Sequence, residues 1–330
     1  MSIISERKKI NKAIRKSKTI FLMAHKNLDL DALGSSIGML KYLEKRRKQV
    51  YLIIDDRTHE AGVEKVLREL EGCLNIIKSD NLDDYLNEKN NKNLLIILDT
   101  NKTELVQSEK ALKKIENKLV IDHHDLGRTT IKNATLVIDN KISSTCEMIT
   151  NLIEYYDIDI DSYYATILLA GIVLDTNNYT LNTMAETFYT SYYLTSLGAS
   201  AKKVQYLLKQ DINEYAERQK LLSSIETIND KIAITKATPY ANYRREELAK
   251  VADTLLFFNN IEASFVIGHI TKDVIGLSAR SLGGYDISKI LEKLGGGGDS
   301  YTGAAKFENT TISNVEKELK RIIEEESEGE

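Results

Sequence analysis

Residues 19–45 read TIFLMAHKNLDLDALGSSIGMLKYLEK, an apolar run followed by polar residues and then by a helical pattern. The run at 19–24 predicts a buried strand, and residues 34–45 predict a helix. Three later apolar runs predict further buried strands, at 51–55, 94–99 and 118–122. Buried strands that alternate with helices imply a mostly parallel sheet covered on both faces. The first half of the chain is therefore predicted to be an α/β domain.

The pattern changes after residue 144. Ser144-Thr-Cys-Glu147 is a capping box that predicts a helix to about residue 156. Further helices are predicted at 163–174, 186–197, 202–210, 245–256 and 286–294. Strands are predicted at 232–237, 263–270 and 274–281. We therefore predict a first domain at 1–195, a helical linker at 196–225 and a smaller α/β domain at 226–330.

Composition excludes several classes of protein. Apolar residues make up 42% and charged residues 28% of the 330 residues, as in globular proteins. No segment approaches the roughly 18–20 apolar residues that cross a bilayer, and the polar start lacks a secretory signal, so we expect a soluble, cytoplasmic protein with no membrane partner. Cys73 and Cys146 form no metal or disulfide motif. The net charge of −4 argues against duplex nucleic acid as a partner.

Acidic and histidine side chains follow the predicted strands. The groups are His25 with Asp29 and Asp31, then Asp99, then Asp122-His123-His124, and finally Asp175 at the end of the apolar run AGIVLD. Each group alone has a simpler explanation, such as a helix-capping Asp within 25–31 or a strand terminator at 99. Because the carboxyl ends of parallel strands open onto one crevice, we expect the groups to converge.

The types of these side chains predict a metal centre. Carboxylate and imidazole groups without thiolates favour Mn²⁺ or Mg²⁺, and Co²⁺ also accepts them. We expect two divalent cations, with Mn²⁺ the intended ion. Two metals about 3.5–4 Å apart can share a bridging hydroxide and drive in-line attack at phosphorus. A structural or scaffolding protein would leave the buried carboxylates unexplained.

The second half supplies candidate phosphate-binding groups. Arg280 lies in the sequence SARS, and its guanidinium can hold a phosphate bidentately. Four consecutive glycines, Gly295–Gly298, allow backbone amides to approach a phosphate or base closely. The alternative for the glycines is a flexible turn after the helix predicted at 286–294.

Several motifs together carry a family resemblance. HKNLDLDALGS, ILDT, VIDHH, AGIVLDT and the late SARS…GGGG resemble, in order and spacing, the DHH–DHHA1 phosphoesterase superfamily over nearly the whole chain. The segments ISSTCEMIT and LLAGIVLDTNNYTLNT are similar to the catalytic part of GdpP-type cyclic-di-AMP phosphodiesterases. The resemblance implies a catalytic, metal-binding DHH domain at 1–195 and a substrate-binding, DHHA1-like domain at 226–330. It also implies a homodimer.

The resemblance implies roles for individual residues. One metal would be held by His25 and Asp29, the other by Asp31, His123 and Asp175, with Asp99 bridging the two. Asp122 and His124 would orient the ligands and contact phosphate, as catalytic residues. The substrate-binding residues would be Arg280, Gly296, Gly297, Gly298 and Ser300. One departure stands out, since Asp299 occupies the place where the family has His after the glycines, so that Ser300, Tyr301 or Thr302 would have to replace that donor.

The resemblance also implies a substrate. The expected activity is hydrolysis of cyclic di-AMP to pApA, with onward hydrolysis to AMP left open. A second interpretation with the same chemistry is a nanoRNase or pAp phosphatase that acts on short oligonucleotides. A non-catalytic nucleotide-binding module is a third, and it predicts binding without turnover.

Overall fold

The computed structural model describes residues 3–55, 59–209, 212–238, 241–298 and 300–328. The chain divides into two compact units, Met1–Lys209 and Gln210–Glu330. Each unit contains a sheet, helices and its own hydrophobic core, which confirms the predicted fold class. The domain boundaries predicted at 195 and 226 stay a prediction. Within the described ranges, no helix combines the length and the apolar character that a membrane span requires.

The sheet of the first unit is parallel throughout, with strand order β3-β2-β1-β4-β5-β6. The central strands β1 and β4 are buried along their whole length, as expected for a sheet with both faces covered. The strands are β1 Thr19–Met23, β2 Gln49–Ile53, β3 Ile76–Ile77, β4 Asn93–Leu98, β5 Asn117–Asp122 and β6 Thr135–Ile138.

Successive residues of a strand point to opposite faces of the sheet, so apolar residues on both faces need helices to cover them. Along β1, Ile20 and Leu22 belong to one hydrophobic cluster, whereas Phe21 and Met23 belong to another. The first cluster includes side chains from α2, α5 and α6, which pack on one another. The helices are α1 Ile3–Lys16, α2 Leu30–Glu44, α3 Ala61–Glu69, α4 Glu109–Lys114, α5 Thr145–Tyr155, α6 Ser162–Asp175, α7 Ala185–Ser196 and α8 Ala201–Leu207.

The second unit has a mixed sheet with strand order β11-β12-β10-β9-β8-β7. Its neighbouring strands are antiparallel except β8 and β9, which run parallel. The elements are α9 Ile212–Leu222, β7 Glu226–Ile228, β8 Ile232–Lys236, α10 Arg245–Leu255, β9 Ala263–Thr271, β10 Val274–Ser281, α11 Ile287–Lys293, β11 Gly297–Gly298, β12 Thr302–Glu308 and α12 Ile312–Glu328.

Candidate metal centre

Two carboxylates enter the site from the start of α2. Asp29 is the N-cap of this helix, and its Oδ1 accepts hydrogen bonds from the amides of Asp31 and Ala32 at 3.0 and 2.9 Å. Asp31, two residues later, is fully buried. Its two oxygens accept from the backbone amides of Thr145 and Cys146, at 2.8 and 2.7 Å. Asp31 therefore also caps the N-terminus of α5, where unpaired amides favour negative charge.

Asp99 lies at the centre of the cluster. It directly follows β4, is buried, and has a left-handed backbone with φ of 59°. Its Oδ2 lies 3.3 Å from His25 Nε2, and its Oδ1 lies 3.4 Å from His123 Nε2. The hydroxyl of Thr145 donates to Oδ1 at 3.0 Å. Because each carboxylate oxygen faces a different histidine, Asp99 joins the two halves of the site.

The remaining contacts complete two groups around Asp99. His25 Nε2 lies 3.5 Å from Asp29 Oδ2, and His123 Nε2 lies 3.1 Å from Asp175 Oδ2 at the last residue of α6. In each group the ligand atoms all lie within 4.8 Å of one another. The first group is His25, Asp29 and Asp99, and the second is Asp31, Asp99, His123 and Asp175. The structure thus brings together the six residues that the resemblance implies as ligands, and their division between two metals stays a prediction.

Crowding of negative charge shifts the ionisation of the cluster. Burial raises the pKa of Asp31 well above its usual range, and the neighbouring charges of Asp99 and Asp175 raise it further. Burial also raises the pKa of Asp175, to about 6. Burial alone would lower the pKa of His25, but its contacts with Asp29 and Asp99 raise it to about 12. Because burial and neighbouring carboxylates disfavour the ionised form of Asp31 and Asp175, that form needs positive charge nearby.

The donor atoms fit divalent cations. His123 Nε2 is buried and makes no hydrogen bond within the described part of the chain, although two carboxylate oxygens surround it. A buried polar nitrogen without a hydrogen bond is costly, and a metal ion would satisfy it. The set consists of carboxylate oxygen and imidazole nitrogen, which suits Mn²⁺, Mg²⁺ or Co²⁺. The cluster is compatible with a divalent metal site.

Asp122 and His124 lie outside these two groups, although His124 forms a third group of possible ligands with Asp99 and His123. Asp122 ends β5 and is fully buried, and its Oδ1 lies 2.8 Å from His124 Nδ1. Burial would lower the pKa of His124, but the hydrogen bond to Asp122 raises it. The His124 side chain remains 52% exposed. Asp122 thus orients the His124 imidazole, and the exposed part of this ring lines a cavity at the metal centre.

Sequence reasoning missed two positioning residues. Asn101 is fully buried, and its amide donates to Asp122 Oδ2 at 2.7 Å. Gly171 brings α6 against α2, because a Cβ there would lie 2.5 Å from Cys146 Sγ and 3.0 Å from Asp31 Oδ1. The position of Asn101 two residues after the strand-end Asp99 was a usable signal. Gly171 gave none, because a glycine within an apolar helical run has many explanations.

A cavity of about 230 Å³ opens onto the centre. Among its lining residues, Lys102 supplies positive charge and Leu105 an apolar wall. His25, Asp29, Asp99, His124 and Asp175 also line it. A small polar group such as a phosphodiester can therefore reach both groups of predicted ligands.

The predicted substrate residues of the second unit lie on and beside its sheet. Arg280, on β10, donates through Nε to Asp253 Oδ1 at 2.6 Å and through Nη1 to the Ala279 carbonyl at 2.9 Å. These bonds engage part of the guanidinium fork on which bidentate phosphate binding depends. The role of Arg280 in binding substrate stays a prediction.

The glycine run forms ordered structure. Gly295, with φ of 73°, follows the C-terminus of α11. Gly297 and Gly298 form β11, which pairs with β12. A Cβ at Gly296 would lie 2.6 Å from the Ala304 carbonyl, so close packing explains this glycine. Ser300 is exposed in the following turn, and Asp299 lies outside the described residues.

Comparison with known proteins places the chain in a family. The DHH family N-terminal domain matches residues 19–172, and the DHHA1 domain matches residues 229–328. The cyclic-di-AMP phosphodiesterase GdpP of Geobacillus thermodenitrificans is 35% identical over 97% of this chain and 49% of its own length. The bifunctional oligoribonuclease and PAP phosphatase NrnA of Thermus thermophilus is 24% identical over 93% of this chain and 90% of its own length.

A solved structure shares the fold. An exopolyphosphatase-related protein from Bacteroides fragilis superimposes with a TM-score of 0.78 at 20% identity, covering 96% of this chain and 95% of the other. The chain spans about half the length of GdpP and of another relative that it matches, the cyclic-di-AMP phosphodiesterase PdeA of Listeria monocytogenes. The two domain matches follow in order and together span about three quarters of the chain. The chain therefore belongs to the DHH family and carries a DHHA1 domain.

Proposed function

We propose that this chain is a Mn²⁺-dependent phosphodiesterase that hydrolyses cyclic di-AMP to pApA. The observation that carries the proposal is the pair of ligand groups that share the buried Asp99. The proposal is supported by the 32–35% identity to GdpP and PdeA, which are named as cyclic-di-AMP phosphodiesterases. Homodimerisation is part of the same proposal.

The chain's own residues have distinct tasks in this proposal. His25 and Asp29 would hold one cation, and Asp31, His123 and Asp175 would hold the other, with Asp99 contributing to both groups. Bound there, divalent cations would supply Lewis-acid activation of water and stabilise charge on the phosphoryl oxygens. His124, held by Asp122 and exposed to the cavity, contacts the phosphate.

The contact between His124 and phosphate also suits the electrostatics. Because the hydrogen bond to Asp122 raises the pKa of His124, the imidazole holds its proton at higher pH than a free histidine. A protonated imidazole can donate a charge-assisted hydrogen bond to a phosphodiester oxygen. This interaction would orient the substrate against the cluster.

A chromatographic assay tests the proposal. The purified chain, treated with chelator and supplied with Mn²⁺ and cyclic di-AMP, is expected to release pApA. Mg²⁺ and Co²⁺ in parallel reactions identify the preferred ion. Unchanged cyclic di-AMP would refute the substrate, and binding without turnover would favour a nucleotide-binding module.

A second candidate function is trimming of short oligonucleotides or dephosphorylation of pAp. The observation that favours it is the match to NrnA, of which the chain covers 90%, compared with 49% of GdpP. Competition assays separate the candidates. Faster turnover of pApA or pAp than of cyclic di-AMP would favour the second.

A further inference from the structure

A second cavity, of about 560 Å³, lies within the first unit. One wall comes from Asn140 and Lys141, just after β6. Asn140 Nδ2 donates to Asp125 Oδ1 at 2.7 Å, and Asp125 directly follows His124 in the chain. Tyr179 also lines the cavity, and it lies four residues after Asp175 in the chain. The cavity therefore shares the edge of the sheet that carries the metal centre.

An aromatic platform forms part of this cavity. The rings of Tyr179 and Phe188 stack with centroids 5.4 Å apart and an angle of 21° between their planes. Phe188 is 55% exposed, and the adjacent cavity residue Met184 is 52% exposed. The hydroxyl of Tyr179 donates to Ser191 Oγ at 3.1 Å, which fixes the ring beneath Phe188. The exposed ring of Phe188, which stacks on the fixed ring of Tyr179, offers a stacking surface to a flat ligand.

The backbone that carries the platform is strained. Asn177, Asn178 and Tyr179 have consecutive left-handed φ values of 44°, 58° and 63°. This region is uncommon for residues other than glycine, and an aromatic residue there is a clear outlier. Two hydrogen bonds stabilise this strained backbone. The Asn178 amide donates to the Val173 carbonyl at 2.9 Å, and the Tyr179 amide donates to Thr176 Oγ1 at 3.0 Å. Such strain persists where the surroundings over-determine it, often at ligand sites.

The size and polarity of the cavity indicate the ligand. The 230 Å³ cavity at the metal centre is smaller than the about 300–1,000 Å³ of typical small-molecule sites. The second cavity, at the same edge of the sheet, would supply a further 560 Å³. Around the rings lie the amide of Asn182 and the ammonium of Lys141. Amides can pair with the edge of a base, and an ammonium can pair with phosphate.

We propose that this cavity is a nucleobase subsite, in which one base of the nucleotide stacks on Phe188 beside Met184 while its phosphodiester lies at the metal centre. The inference rests on the proposed function and deepens it, because it assigns recognition of a base to the first unit. The ligand class is a purine nucleotide with at least one phosphodiester, since the ring surface of a purine is the larger stacking partner.

The test compares two exposed aromatic residues on one helix. Phe188 and Tyr192 both lie on α7, and Tyr192 is 69% exposed but does not line the cavity. The probe is a dinucleotide pApA with 2-aminopurine in place of one adenine, because the fluorescence of this base falls when it stacks. Phe188→Ala, Phe188→Trp and the control Tyr192→Ala are titrated with this probe. Turnover of cyclic di-AMP and of methyl p-nitrophenyl phosphate, a diester without a base, is measured in parallel.

The expected result is selective. Phe188→Ala loses most of the fluorescence quenching and raises KM for cyclic di-AMP about tenfold, equivalent to about 1.4 kcal/mol. Its kcat for cyclic di-AMP and its turnover of the simple diester stay near those of the unmodified chain, since a base contact contributes uniform binding. Phe188→Trp keeps the quenching, and Tyr192→Ala matches the unmodified chain.

The outcomes separate this inference from the proposed function. If Phe188→Ala and Tyr192→Ala quench the probe and turn over cyclic di-AMP alike, the subsite is overturned while the phosphodiesterase activity stands. If the unmodified chain does not hydrolyse cyclic di-AMP, the proposed function fails. In that case the quenching comparison still decides whether a base stacks on Phe188.

Discussion

At the scale of single residues, Asp29 and Asp31 show that capping and ligand geometry coexist. The sequence left open whether residues 25–31 were a capped loop or a metal motif. In the structure Asp29 caps α2 through Oδ1 and faces His25 through Oδ2. A carboxylate has two oxygens with several acceptor sites, so one side chain can serve both tasks. The two interpretations were therefore not exclusive.

Asn101 allows a prediction at this scale. Asn101→Ala removes the amide that donates to the buried carboxylate of Asp122. Leaving a buried acceptor short of a partner costs about 1–3 kcal/mol, so we expect a loss of that order in the free energy of unfolding, measured by urea denaturation. We also expect kcat to fall, because Asp122 orients His124.

Asn117→Ala is the matched control. Its amide donates to the carbonyls of Asn91 and Asn93, at the amino-terminal ends of β4 and β5 and away from the metal centre. This variant should keep kcat. Equal kcat values for both variants would show that Asn101 does not position the catalytic groups.

At the scale of elements, the close contact of α6 with α2 and α5 sets where Asp31 and Asp175 meet. Gly171→Ala would place a methyl group 2.5 Å from Cys146 Sγ and 3.0 Å from the Cα of Asp31. Overpacking of this kind costs about 1–3 kcal/mol. We expect a lower melting temperature and weaker Mn²⁺ binding by equilibrium dialysis, since the helices that carry the two carboxylates must separate.

Two further variants sharpen this prediction. Gly127→Ala is the control, because a Cβ there meets nothing within 4 Å. The double change Gly171→Ala with Cys146→Ala removes the sulfur contact and should recover part of the lost stability. Unaltered Mn²⁺ affinity in Gly171→Ala would contradict a role for this contact in aligning the site.

The sequence predicted the central elements well and the peripheral ones poorly. The strands now called β1, β4 and β5 lie within two residues of their predicted bounds, because each is a continuous apolar run. Strand β12 was not predicted, since TGAAKFE has neither an apolar run nor clear alternation. Strand β6 has only four residues, and its apolar run LVI is too short to predict a strand by itself. Pairing with neighbours, which no local pattern encodes, defines both.

At the scale of the whole molecule, binding of cations to the native state should stabilise the chain. A ligand at 100 times its dissociation constant adds about 2.7 kcal/mol to the stability of the native state if it does not bind the unfolded chain. For a unit of 209 residues, about 2–4 °C per kcal/mol gives a rise of roughly 5–10 °C. We expect this rise when Mn²⁺ is added to chelator-treated protein, measured by calorimetry.

Asp99→Asn should abolish most of that increment, because Asp99 belongs to both ligand groups. Asp83→Asn is the control, since Asp83 pairs with Lys110 and Lys114 on the surface and should leave the rise intact. The same rise in all three proteins would place the bound ion elsewhere. Because melting is independent of turnover, this result stands whichever nucleotide is the substrate.

The dual role of Asp31 affects how such a chain tolerates change. Its carboxylate receives the first amides of α5 from a distant part of the sequence, so it belongs to the architecture as well as to the chemistry. Loss of His25 would remove a predicted ligand and spare the fold, whereas loss of Asp31 would leave a helix end unsatisfied in the interior. In a related chain that lacks the proposed activity, this aspartate is therefore expected to persist after the histidines have been replaced.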